Sequence, residues 1–203
     1  MPKEAAEVER QAFALTQQSQ QETQQLAQFE TEFMHAQELE FSGRSQEAIE
    51  IYERILKASP GEPQVSFALA RLYLNARQPQ QAVQYIRRAL ERRPNKADYH
   101  ELYAMALLEL GQVSEAEQEL RTAILLEPSD GASYNALGNL LLKQGRVDDA
   151  IDALEQAVRL AGDEASYRLN LSNAYRQKGD AAAADRENSA YQRLTQPKQP
   201  GPE

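Results

Sequence analysis

Five consecutive segments of this chain align at a fixed period of 34 residues with neither insertion nor deletion. They are residues 29–62, 63–96, 97–130, 131–164 and 165–194, called units 1 to 5 below. Each unit has the pattern of two helices joined by a turn. A fixed period of this length predicts a helix–turn–helix solenoid, in which each unit packs only on its neighbours.

Small residues recur at two positions of the repeat. Counting each unit from its first residue, position 20 is Ala48, Ala82, Ala116, Ala150 and Ala184. Position 8 is Ala36, Ala70, Ala104, Gly138 and Ser172. Helices whose axes lie 8–10 Å apart need small side chains at the closest approach. We therefore expect both positions to be buried between helices.

Turn residues mark where each helix ends. Position 15 is Gly in every unit except unit 2, where it is Arg77. Gly at this position predicts a left-handed cap at the end of the first helix, so the turn at Arg77 should be strained or differently shaped. Position 32 is Pro in the first three units and Gly162 in the fourth, and it should stop the second helix.

These recurring positions resemble the tetratricopeptide-repeat (TPR) family. The resemblance covers roughly residues 29–194 and implies an all-α fold, a right-handed α-solenoid of five helix–turn–helix units with an N-terminal leader helix. It also implies that the first helices of successive units line a concave groove. The bulky aromatic residue usual at position 4 is present only as Tyr134, so packing in the other units should differ in detail.

The two ends of the chain differ from the repeats. Residues 1–28 form a Gln-rich leader, for which we expect a helix that is solvated or partly frayed. The alternative is a helix that docks on a second chain through Val8, Phe13 and Leu15. The second helix of unit 5 carries Asn188 and Tyr191 in place of apolar or small residues, which is typical of a terminal cap. Residues 195–203 are Pro-rich and polar, and a disordered tail is expected.

Composition limits the class of partner. The net charge is −9, which argues against nucleic acid or an anionic membrane as the main partner. There is no cysteine, so thiolate chemistry is excluded. Because the start of the chain lacks the apolar core of a signal peptide, a cytoplasmic location is expected. A periplasmic or membrane-anchored location would follow if an N-terminal signal had been removed.

No pattern of catalytic residues is present. The two histidines, His35 and His100, fall at positions 7 and 4, which normally pack, so core or half-buried histidines are expected. Asp148 and Asp149 begin a helix, where carboxylates favour the macrodipole. Gly-rich phosphate loops and metalloprotease motifs do not occur. We therefore expect neither enzymatic activity nor a cofactor or metal ion.

A basic cluster in unit 2 has two interpretations. It comprises Arg87, Arg88, Arg92, Arg93 and Lys96. The favoured interpretation is a solvated face whose cations pair with the acidic units 1 and 3. The alternative is contact with RNA phosphates, although only Tyr85 is placed among these cations for base stacking.

The concave groove is the candidate binding site. Positions 2, 5, 9 and 12 share one arc of the first helix because their spacings are 3, 4 and 3. The residues expected to contact a partner are Phe67, Arg71, Met105, Leu108, Asn135, Asn139, Leu142, Asn173 and Arg176. Apolar side chains beside amides suit an extended segment that is recognised partly through its backbone.

Two chaperone-clamp amides of the TPR family have counterparts in Asn139 and Asn170. Asn135 stands in place of the clamp lysine, however, and a further unit is missing, so recognition of chaperone tails is not expected. The sequence thus predicts a non-enzymatic adaptor that binds a protein or peptide, rather than a small molecule or a membrane. A self-associating assembly factor that uses the leader helix, and an RNA-binding accessory that uses the basic cluster, are the alternatives.

Overall fold

The structure, a computed structural model, describes the backbone of residues 2–196 and the side chains of residues 13–196. Within that range the chain forms ten α-helices and no strand. They are α1 (Pro2–Phe41), α2 (Ser45–Ala58), α3 (Pro63–Asn75), α4 (Pro79–Arg92), α5 (Ala97–Glu109), α6 (Val113–Leu126), α7 (Gly131–Lys143), α8 (Val147–Leu160), α9 (Ala165–Lys178) and α10 (Ala181–Thr195).

The helices stack in chain order. Each pair within a unit packs together, from α1 on α2 to α9 on α10, and the second helix of each unit packs on the first helix of the next. The first helices of neighbouring units also touch where α3 meets α5 and α7 meets α9. This arrangement confirms the expected all-α solenoid of five helical pairs.

The small repeat positions form the closest helix contacts. The alanines at position 20 are at most 1% exposed, and those at position 8 are fully buried. Ser172 fills position 8 of unit 5 and donates its hydroxyl to the carbonyl oxygen of Ala184 at 2.8 Å. The residues that hold the two helices of each unit together are therefore those that the sequence identifies only by their small size.

Arg77 adopts the same left-handed turn as the glycines at the equivalent position. Its φ is +58°, compared with +78° at Gly145. The turn keeps its shape, and the expected strain falls on a residue that has a Cβ. Arg77 also contacts the next unit, where its Nη1 lies 2.7 Å from Oε1 of Glu109.

Two polar side chains, His100 and Arg168, replace the missing aromatic residue at position 4. In unit 3, His100 contacts Oε2 of Glu119 through Nδ1 at 2.6 Å and the carbonyl oxygen of Pro94 through Nε2 at 2.7 Å. In unit 5, Arg168 makes the equivalent contacts with Glu187 and with the carbonyl oxygen of Gly162. Each of these two side chains therefore fixes its own helical pair to the preceding loop by polar contacts instead of apolar packing.

The two ends of the array are polar. Position 24 is Leu154 in unit 4, which is fully buried, but Asn188 in unit 5, which is only half-buried. His35 is exposed, so the expectation that it packs was wrong. Position 7 packs on the preceding unit, as Leu69 does, and unit 1 has no such neighbour among the described residues. The polar end positions agree with the expected cap at the C-terminal end.

Ala183 differs from expectation. The sequence predicts an exposed alanine here, and the equivalent residues of the four other units, which carry longer polar side chains, are indeed exposed. The structure instead leaves Ala183 only 1% exposed.

The leader and the first helix of unit 1 form one continuous helix, α1. Every side chain from Phe13 to Gln28 is exposed, including Phe13 at 65% and Leu15 at 66%. Val8 and residues 197–203, most of the expected disordered tail, lie outside the residues whose side chains are described. None of the helices in the described range is long and apolar enough to cross a membrane.

Candidate functional site

The candidate site is the inner wall, defined here as positions 2, 5, 9 and 12 of the first helices. Position 5 is where successive first helices meet. Phe67 of unit 2 stacks on Tyr99 of unit 3, with ring centroids 4.7 Å apart. Asn170 of unit 5 donates its amide to Oδ1 of Asn135 in unit 4 at 2.8 Å. Residues more than thirty apart in sequence are thus joined across the wall.

The wall of units 1 to 3 is largely occupied by contacts within the chain. Nη2 of Arg71 lies 2.5 Å from Oε1 of Glu40, and Phe67 is half-buried by its stacking partner. Leu74, at position 12 of unit 2, is buried in the core. In this part of the wall, the predicted contact residues Phe67 and Arg71 therefore already have partners in the array.

The wall of units 3 to 5 is more open. Met105 is 48% exposed, and Asn173 and Arg176 are also exposed. Asn139 is half-buried, and neither it nor Asn173 has a hydrogen-bond partner among the described side chains. The structure brings these groups onto neighbouring first helices, α5, α7 and α9.

Two leucines of the wall contribute to the core as well. Leu108 and Leu142 are half-buried and pack against the central cluster around Leu107, and Leu142 also contacts the cluster around Leu171. A charged substitution at Leu142 would therefore disturb packing. Met105 is a cleaner probe of the wall because nearly half of its side chain is free.

Asn170 is absent from the predicted contact set but belongs to the site. It lies at position 6, outside the chosen arc, and its bond to Asn135 fixes the orientation of that amide. In the sequence, only the match of Asn170 to a clamp amide of the TPR family indicated that this residue could belong to the site. Asn135 consequently has one acceptor site already in use.

Glu101, at position 5 of unit 3, has no hydrogen-bond or ion-pair partner among the described residues although it is half-buried. Each of the other half-buried carboxylates has one. These are Glu32, Glu40, Glu62, Glu117, Glu119, Asp130 and Glu187. Burial raises the pKa of Glu101, and the charges of Asp130 and Asp98 raise it further. The carboxylate is therefore desolvated without compensation.

Tyr167 of unit 5 lies in the same electrostatic environment. Burial raises the pKa of its phenol, and the charges of Asp130, Glu164 and Glu101 add to the effect. Cε2 of its ring lies 3.2 Å from the position that a Cβ on Gly131 would occupy. The start of α7 is thus overlaid by an aromatic ring in a negative field.

The basic cluster of unit 2 does not pair as expected. Arg87 donates from Nε to the hydroxyl of Tyr103 at 2.8 Å, and Arg88 lies over the Tyr85 ring at 5.4 Å. Within the described range, no ion pair involves any cation of the cluster. Tyr85 also stacks on Tyr73 at 5.4 Å, so the ring is not free for a nucleic-acid base.

In the described range, no group of three His, Cys, Asp or Glu residues could hold a metal ion. Asp148 and Asp149 lie in the first turn of α8, as expected, and bind Lys178 and Arg146. His100 is the half-buried histidine that the sequence predicts, with both ring nitrogens engaged.

Known proteins place this arrangement in a family. The model of the cilia and flagella-associated protein 70 C-terminal domain, a TPR domain, matches residues 2–196. The chain belongs to this TPR family. The match takes in the leader as well as the five units, and it confirms the TPR resemblance.

Solved structures support the same fold. MamA from Desulfovibrio magneticus RS-1 has a TM-score of 0.74 at 21% identity, covering 82% of this chain and 94% of that chain. PilF from Pseudomonas aeruginosa has a TM-score of 0.75 at 19% identity, covering 84% and 78%. YrrB, described as a TPR protein with an unusual peptide-binding site, has a TM-score of 0.64 at 17% identity, covering 81% and 84%. No curated protein sequence matches the chain.

Proposed function

We propose that this TPR domain is a non-enzymatic adaptor that binds an extended segment of a partner protein along the inner wall of units 3 to 5. Membership of a TPR family makes it a protein-interaction scaffold in general. The proposal adds the position of the site and the form of the ligand. Its basis is the contrast between the two halves of the wall.

The observation that carries the proposal is the distribution of unsatisfied groups. In units 1 to 3, Arg71 pairs with Glu40, and Phe67 stacks on Tyr99. In units 3 to 5, exposed Met105 lies on a wall whose amides, Asn139 and Asn173, have no partner among the described side chains. Apolar area can supply affinity, and amides can donate to and accept from a ligand backbone.

A structural neighbour provides a precedent. YrrB shares the fold and is described as having a peptide-binding site. We extend only the class of ligand to this chain, since 17% identity carries no residue-level comparison.

The experiment starts with an affinity pull-down on the full chain, followed by mass spectrometry. The recovered partner is then titrated calorimetrically against a double variant, Asn139→Ala with Asn173→Ala, and against Met105→Glu. We expect the double variant to weaken binding by roughly 1–3 kcal/mol if both amides bond the ligand backbone. Asn95→Ala, in an exposed loop, is the matched control and should bind normally.

A different result would place the binding site on another face of the domain. If both inner-wall variants bind normally while Arg87→Glu with Arg88→Glu abolishes binding, the partner occupies the basic face of α4 and the inner-wall proposal is wrong. Circular dichroism of each variant would first show that its helices are intact.

A second candidate function is self-association through the leader. The observation that favours it is that α1 continues to Pro2 while Phe13, Leu15 and Leu26 stay exposed. Unpacked helices of this kind are marginal in water and gain stability when their apolar side chains are covered. Light scattering of the full chain and of a variant that lacks residues 1–25 would distinguish self-association from the adaptor function. A dimer that becomes a monomer on deletion supports self-association.

A further inference from the structure

At the step between units 3 and 4, that is, where their first helices α5 and α7 meet, no side-chain contact at position 5 joins the two units. The step before it is closed by the stack of Phe67 on Tyr99, and the step after it by the bond between Asn170 and Asn135. At the step between units 3 and 4, position 5 is Glu101, and no such contact is made.

The residues opposite Glu101 are small. Positions 3 and 6 of the next unit, which hold the partners at the two closed steps, are Ser133 and Ala136 in unit 4. Neither can reach a carboxylate as tyrosine or asparagine could. Ser133 is fully buried, and its hydroxyl has no hydrogen-bond partner in the structure. The step therefore holds two polar groups, one of them fully buried, that the chain itself leaves unsatisfied.

An unpaired, half-buried carboxylate is costly to maintain. Burial of a charge is tolerated when an opposite charge or several hydrogen-bond donors compensate for lost water. The array provides such compensation at its other half-buried carboxylates, as Arg168 does for Glu187 and Arg71 does for Glu40. At Glu101, an external cation is the missing partner.

The charges around this step also favour binding of a cation. Asp130 caps α7 through the backbone amides of Ala132 and Ser133, and it lies close enough to Glu101 to influence its ionisation. Tyr167 supplies an aromatic ring in the same field. Carboxylates combined with an aromatic ring favour a cationic group over a neutral one.

We propose that the step between units 3 and 4 binds a lysine or arginine side chain of the segment that occupies the inner wall, with Glu101 as its ion-pair partner. This inference rests on the proposed inner-wall function and adds the chemistry of the ligand. At the other end of the open wall, Arg176 is exposed and has no ion pair among the described residues. The bound segment therefore carries its basic residue towards unit 3 and its acidic residues towards unit 5.

The test uses peptides as the probe. Random linear peptides of twelve residues, displayed on phage, are selected on the immobilised full chain. The best-enriched peptide is synthesised in two forms, the second with its lysine replaced by norleucine or its arginine by citrulline. Both forms are titrated against the parent chain, Glu101→Gln and Glu101→Asp, with Glu91→Gln on the exposed face of α4 as the charge-matched control.

We expect basic residues to be enriched at one place in the selected sequences. Neutralising that residue should weaken binding to the parent chain and to Glu91→Gln by about tenfold, as for a hydrogen bond to a charged group. For Glu101→Gln the two peptides should differ by no more than about twofold, because a double-mutant cycle isolates the pair. Glu101→Asp keeps the charge and should retain part of the preference.

The outcomes separate the inference from the function on which it rests. Peptides that lose affinity in the Asn139→Ala, Asn173→Ala variant but show no basic preference would leave the inner-wall function standing and overturn the inference. A basic preference that is undiminished in Glu101→Gln would also overturn it. If no peptide is selected, or if binding ignores every inner-wall variant, the proposed function and the inference are both wrong.

Discussion

A Cβ added to Gly138 would lie 2.5 Å from Cγ of Leu154 and 3.1 Å from the carbonyl oxygen of Ala150. Real Cβ atoms essentially never approach other heavy atoms so closely, so α7 and α8 are nearer than an alanine would allow. Three other units carry alanine at this position. Unit 4 is therefore the unit whose helices depend on having no side chain there.

Gly138→Ala should destabilise the domain by about 1–2 kcal/mol. The clash with Leu154 must displace a packed side chain, and this cost exceeds the gain of up to ~1 kcal/mol from replacing a helical glycine. Urea denaturation followed by circular dichroism measures the change. Gly61→Ala is the control, since its Cβ would meet nothing closer than 3.9 Å, and a loss of equal size there would remove the packing explanation.

Ala116→Leu should cost on the order of 1–3 kcal/mol, because position 20 is fully buried between helices. Ala182→Leu, at an exposed site in α10, should change the melting temperature little. Ala183 does not serve as the exposed control because it is buried. Equal melting temperatures for the two leucine variants would contradict the assigned repeat alignment.

Arg77→Gly should leave the domain at least as stable, with a gain of up to about 1 kcal/mol. Glycine adopts a φ of +58° without the strain that a Cβ causes, and the lost ion pair with Glu109 is exposed on the arginine side and worth little. Gly145→Ala is the reciprocal change and should lose about 1 kcal/mol. A large loss in Arg77→Gly would mean that the contact with Glu109 is more important than the turn.

His100→Ala should destabilise the domain by roughly 1–3 kcal/mol, since it leaves half-buried Glu119 without its hydrogen-bond partner. His35→Ala removes an exposed imidazole and should stay within about 0.5 kcal/mol of the parent chain. Denaturation midpoints of the two variants give the comparison. Similar values would contradict the structural role assigned to position 4.

Glu101→Gln should raise stability at neutral pH. The folded state raises the pKa of Glu101, so the native chain holds this proton to a higher pH than the unfolded chain does. The parent chain therefore loses stability as pH rises through the window just above the ordinary glutamate pKa. The advantage of the variant should be present at pH 7 and disappear below that window. Melting curves at several pH values test this, and a variant less stable than the parent at pH 7 would contradict an uncompensated charge at this site.

Local sequence determined the architecture of this protein. The period, the small residues at positions 8 and 20 and the glycine turns each act within one unit or between neighbours, and repetition makes the pattern visible. The exception at Arg77 was also identifiable from the sequence, although only the structure showed that this turn keeps its shape with a positive φ. The sequence likewise predicted the polar face of α10, because Asn188 replaces a core leucine.

Only the tertiary structure decided which inner-wall residues are free. Arg71 is paired with Glu40, and Asn135 with Asn170, through contacts that span adjacent units. Glu101 has no hydrogen-bond or ion-pair partner among the described residues, and the equivalent partner positions of unit 4 hold only Ser133 and Ala136. The exposure of His35 and the burial of Ala183 depend in the same way on what lies beside them. Such pairings are set by side-chain length and helix spacing across units, which a periodic pattern does not encode.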